Sequence, residues 1–130
     1  MKNTQQGAVS ILKFHLVWCP KYRLKVLMGE VENRLRYLLE EKANELNIKI
    51  ECLEIMPDHV HLFVSSHNTL LSPGKIAAQF KGYTSKVLRR EFKHLTTRMP
   101  TLWSRSYYIG TIGHISESVV KKYIENQKTR

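Results

Sequence analysis

Two histidines, His59 and His61, stand one residue apart in the run MPDHVHLFV, residues 56–64. Side chains alternate faces along a β-strand, so His59, His61 and Phe63 would share one face and Val60, Leu62 and Val64 the other. Imidazoles placed this way are close enough to ligate one ion, and neutral imidazole is a common metal ligand. They can equally be two half-exposed histidines that hold nothing; so short a motif does not choose. A second group stands in VVKKYIENQ, residues 119–127. Tyr123 and Gln127 are four apart, hence on one face of a helix. Tyr123 offers a phenolic oxygen and Gln127 an amide oxygen that suits a hard cation. Taken alone, they read as well as a packing tyrosine and a solvated glutamine.

The elements around these residues follow from periodicity. AVSILKFHLVWC, residues 8–19, is rich in strand formers and stops at Pro20. Leu12, Phe14, Leu16 and Trp18 would line one face, and Ile11, Lys13, His15 and Val17 the other. Residues 30–46 form the clearest helix, with Val31, Leu35, Leu38, Lys42 and Leu46 at helical spacing. Glu30 and Glu32 suit its amino end, and Asn47 its stop. IKIECLEI, MPDH and VHLFVSS read as strand, turn and strand. Ser72 and Pro73 open a further helix as cap and first-turn residue. Gly82 is expected to interrupt it, and Thr84 to cap a second piece, TSKVLRREF. A strand follows in WSRSYYIGTI. Ser116 then caps a last helix, with Ile115 and Val120 placed as a hydrophobic staple. The order is β-α-β-β-α-β plus a carboxy-terminal helix. It predicts an α+β, ferredoxin-like (RRM-like) antiparallel sheet with helices on one face and the histidine face uncovered.

One domain, residues 1–130, suits this length. A hydrophobic fraction of 42% excludes a disordered chain. MKNTQQGA lacks the apolar segment of a signal peptide, and no stretch is long enough to span a membrane. Cys19 and Cys52 lack metal-type spacing and fit reduced thiols, so a cytoplasmic setting is expected. The net charge of +10 points to a polyanion, with nucleic acid ahead of an anionic membrane surface. Residues 75–98 carry seven lysines and arginines against one acid, Glu91. Such a run is often only a solvated face. Here it holds more than half of the net charge, which favours phosphate contact through Lys81, Lys86, Arg89, Arg90 and Lys93. Lys21 and Arg23, with Lys25, form a smaller cluster. Tyr22, Tyr83, Trp103, Tyr107 and Tyr108 could stack on unpaired bases, with Trp103 the first candidate for the core instead.

FHLVWCPKYRLKVL, IMPDHVHLFV, QFKGYTSKVLRREF, LWSRSYYIGTIG and VKKYIENQ occur in that order over nearly the whole chain. Together they resemble the small single-tyrosine transposases of insertion sequences, within the HUH nucleases named for a His-hydrophobic-His motif. The resemblance implies that His59, His61 and Gln127 hold Mg²⁺ or Mn²⁺ and that Tyr123 is the nucleophile. It implies cleavage and rejoining of single-stranded DNA through a 5′-phosphotyrosine, with recognition of subterminal hairpins. It also implies a homodimer in which the tyrosine helix of one subunit completes the other's site, with Gly110 and Gly113 as a hinge, and a protein that is nucleoid-associated when bound to DNA. No general base is evident. Two other readings stay open: a domesticated relative that processes repeated palindromic DNA of the host, and a non-catalytic RRM-like binding module. The last expects stacking aromatics in the central strands, where this chain has histidines.

Overall fold

The computed structural model describes residues 11–67 and 70–111. They form β1 (Leu12–Pro20), α1 (Glu30–Glu45), β2 (Ile48–Met56), β3 (His59–Ser66), α2 (Pro73–Glu91), a one-turn α3 (His94–Thr97) and β4 (Trp103–Thr111). A 3-10 turn, Lys21–Arg23, follows β1. The sheet order is β2-β3-β1-β4 and each pairing is antiparallel. This is the expected ferredoxin-like arrangement. Gly113, Tyr123 and Gln127, with the final helix expected to carry the last two, lie outside the described residues.

Strand alternation sets the layers. Phe14, Leu16 and Trp18 of β1 and Val60, Leu62 and Val64 of β3 are buried on one face. They share a single core with Leu35, Leu38 and Leu39 of α1 and Ile76, Phe80 and Leu88 of α2. Burial of each such side chain contributes about 1.5–3 kcal/mol. Glu30 and Glu32 occupy the first turn of α1. The helix ends where Asn47 takes a left-handed φ of 58°, a conformation asparagine tolerates better than most residues. Trp103 is buried against Trp18, ring edge to ring face at 5.8 Å, as its candidacy for the core anticipated.

The expected interruption at Gly82 does not occur: α2 runs unbroken from Pro73 to Glu91. Thr84 does not cap a new helix. Its hydroxyl donates to the Phe80 carbonyl at 2.7 Å, one turn back, and accepts from Trp103 Nε1 at 3.0 Å. Gly82 sits on the exposed side, where it costs the helix about 1 kcal/mol relative to alanine. The apolar stripe of Ile76, Ala77, Phe80, Val87 and Leu88 outweighs that. The start of α2 is as expected: Ser72 Oγ accepts from Lys75 N at 3.2 Å and Pro73 fills the first turn.

Candidate active site

β3 carries the two histidines on the sheet face turned away from α1 and α2, and the strand pairings decide what surrounds them. Val17 of β1 and Glu54 of β2 are the register partners of His61, and His15 that of Phe63. The rings of His59 and His61 meet edge to face with centroids 4.7 Å apart. His15 lies beside His61, its ring plane only 20° from that of its neighbour. Tyr108 of β4 closes the row, edge-on to His15 at 6.2 Å. The face is not bare, as alternation alone suggested. His61 is only 7% exposed, and Phe63 and Glu54 are buried too.

Burial has an electrostatic consequence. It pushes the His61 pKa down to about 4, and repulsion from His59 and His15 adds to the effect. Burial lowers His15 as well. Both rings are therefore neutral near pH 7, the form in which imidazole donates a lone pair to a cation. The turn before β3 supplies a carboxylate. Asp58 Oδ1 lies 2.6 Å from His59 Nδ1, and Asp58 Oδ2 accepts from Arg23 at 3.2 Å. Burial raises the Asp58 pKa, but the hydrogen bond with His59 and the charges of His59 and Arg23 outweigh it and hold the group below its ordinary value.

The residues expected to hold an ion divide between the described and undescribed parts of the chain. His59 and His61 come together; Gln127 lies outside. Among the described residues, no three His, Cys, Asp or Glu side chains converge closely enough to hold an ion. The two neighbouring imidazoles are donors of a kind that can hold an ion. His15 and Asp58 were not singled out as site residues from the sequence, and Tyr108 was named only as a candidate for base stacking. Asp58 adjoins His59 and was legible there. His15 approaches His61 only because β1 pairs with β3 in one particular register.

The basic residues also separate. Lys86, Arg90 and Lys93 are exposed. Lys81 Nζ donates to the carbonyls of Ser104 at 2.8 Å and Arg105 at 3.3 Å and lies over the Tyr107 ring, which ties α2 to β4. Arg89 donates to the carbonyls of Leu95 and Met99, both at 3.1 Å. These two cations already serve the fold. In the 3-10 turn after β1, Tyr22 and Arg23 both take positive φ, 60° and 53°. Two successive non-glycine residues in that region are unusual. Tyr22 is 66% exposed there, and Tyr107 and Tyr108 are exposed on β4. Tyr83 instead hydrogen-bonds to Glu41 of α1. Gly110 lies within β4, paired with His15, and a side chain there would meet the Tyr108 hydroxyl at 2.6 Å. Its lack of a side chain makes room for that phenol.

Known proteins match this chain in sequence and in fold. Residues 8–127 match the family described as IS200-like transposases. The chain is 35% identical over 124 residues to the ISDra2 transposase TnpA of Deinococcus radiodurans, covering 94% of this chain and 88% of that one. It is 28% identical over 117 residues to the transposase of insertion sequence element IS200 of Salmonella typhimurium, covering 88% and 76%. A crystal structure of a candidate transposase from Deinococcus radiodurans superposes with a TM-score of 0.76 at 32% identity, over 98% of both chains. A REP-associated tyrosine transposase bound to a REP hairpin superposes with a TM-score of 0.68 at 12% identity, over 99% of this chain and 73% of that one, a likeness of fold. With the match running through nearly all of its length, and the paired histidines on the sheet face, this chain belongs to the family of IS200-like transposases.

Proposed function

We propose that this transposase cuts and rejoins single-stranded DNA at the ends of an insertion sequence, with Tyr123 as nucleophile and His59, His61 and Gln127 as holders of a divalent cation. The observation that carries the reading is the pair of imidazoles meeting at 4.7 Å on one sheet face. Two ring nitrogens and an amide oxygen form a donor set that suits Mn²⁺ or Mg²⁺. When bound, the cation stabilises the negative charge that builds on the phosphate under attack.

The chain's own residues do the rest. A phenol has an ordinary pKa of about 10, so Tyr123 loses its proton as it attacks. Its oxygen forms a bond to phosphorus while the bond from phosphorus to the 3′ oxygen breaks. The products are a 5′-phosphotyrosine and a free 3′ hydroxyl, which takes up the proton. In the reverse sense, a 3′ hydroxyl attacks that phosphorus, the bond to Tyr123 breaks and the phenol is restored. One ester bond replaces another throughout, so no ATP is consumed.

Two subunits, each with one tyrosine, would serve two DNA ends, with the helix of one completing the site of the other and Gly110 and Gly113 giving it a variable path. Half-buried Lys21 and exposed Arg23, Lys86, Arg90 and Lys93 meet phosphates in this reading, and Tyr22, Tyr107 and Tyr108 stack on unpaired bases of a subterminal hairpin. The likeness of fold to a transposase solved on a REP hairpin supports that mode of recognition.

The test is incubation with end-labelled single-stranded DNA from the flanks of the gene, plus Mg²⁺. A protein–DNA band that survives denaturation is expected, absent in Tyr123→Phe although hairpin binding remains. An adduct that persists in that variant rules out this nucleophile.

A further inference from the structure

Each of the two histidines has its Nδ1 taken up by another side chain of the same protein. His59 Nδ1 lies 2.6 Å from Asp58 Oδ1. His61 Nδ1 lies 3.4 Å from His15 Nε2, with the two rings 20° from parallel, so that they meet nearly edge to edge. A neutral imidazole carries one N–H and one lone pair, and only the nitrogen with the lone pair can take a cation. An ionised carboxylate can only accept. Its contact with Asp58 therefore places the His59 proton on Nδ1 and the lone pair on Nε2. Asp58 is held from its other oxygen by Arg23 at 3.2 Å, which limits its freedom to swing away. The contact with His15 is symmetric in principle. It does not by itself fix a tautomer for His61.

We propose that Asp58 is the positioning residue of His59: it engages Nδ1, so that the ring presents an Nε2 lone pair before any ion arrives. This rests on the reading of His59 and His61 as metal ligands. Asp58 does not touch the reacting phosphate in this scheme; it acts through the ring it holds. Partners of this kind fix tautomer and ring orientation, and their loss typically costs about 10- to 100-fold in metal affinity or activity.

The test separates tautomer from ligation. The full chain, labelled with ¹⁵N-histidine and free of metal, is examined by long-range ¹H–¹⁵N correlation at neutral pH. His59 is expected to carry its proton on Nδ1. Asp58→Ala should release His59 towards the Nε2–H form. Asp58→Asn keeps an accepting oxygen and should restore the His59 tautomer. Mn²⁺ titration followed by electron paramagnetic resonance then gives affinities. A loss of about 10- to 100-fold is expected for Asp58→Ala, with substantial recovery in Asp58→Asn. His59→Ala, run in parallel, tests the ligand reading: Mn²⁺ binding as tight as in the native protein would overturn that reading while leaving the tautomer result interpretable. A native His59 protonated on Nε2, or a tautomer unchanged in Asp58→Ala, overturns the positioning role. So does an Asp58→Asn variant that keeps the tautomer but binds Mn²⁺ as weakly as Asp58→Ala, since Asp58 would then be a ligand itself.

Discussion

His61 shows how one side chain can read differently in sequence and in three dimensions. Alternation along β3 placed it on the correct face but did not reveal its near-complete burial. That burial couples it to folding. Its folded pKa of about 4 lies below the ordinary 6.5, so the unfolded chain binds the extra proton first. Stability from this group is fully present above pH 6.5 and falls as pH drops towards 4. Urea titrations of the metal-free protein should show that loss, and His61→Gln should flatten the slope by up to one proton within the window. The basic residues divide at the same scale. Lys86 is exposed, so Lys86→Ala should leave the melting temperature almost unchanged, weaken DNA binding and reduce the salt slope of affinity by about one. Lys81→Met removes the donor to two carbonyls of β4 and should destabilise by about 1–3 kcal/mol, seen in chemical denaturation.

The strands and helices were largely legible because their periodicities are strong. Leu35, Leu38 and Leu39 mark the buried side of α1, and Phe14, Leu16 and Trp18 that of β1. The misreading came at Gly82, where a local breaker suggested two helices. Local preference was weaker than the buried stripe running past it, and Thr84 found partners in Phe80 and Trp103 that no spacing reveals. Gly82→Ala meets no atom within 4 Å, so it should stabilise α2 by about 0.5–1 kcal/mol, measurable as a rise in melting temperature. Thr84→Val keeps the shape but strands the buried Trp103 N–H; a loss of about 1–3 kcal/mol is expected.

For the whole molecule, the β-α-β-β-α-β order led to the sheet order β2-β3-β1-β4 and to one face holding the paired imidazoles. The order does not contain the pairing register, which is why His15 beside His61 emerged only in three dimensions. α1 and α2 cover one face, so the exposed cations of α2 lie on the opposite side of the sheet from the histidines. In the proposed function this separates phosphate gripping along the helix from bond breaking over the sheet. The most direct test of that account is peptide mapping of the protein after incubation with single-stranded DNA from the element's ends and Mg²⁺. The account predicts a nucleotide joined to Tyr123 in the native chain and none in His59→Ala or His61→Ala. DNA linked to another residue, or an undiminished adduct in either histidine variant, would contradict it.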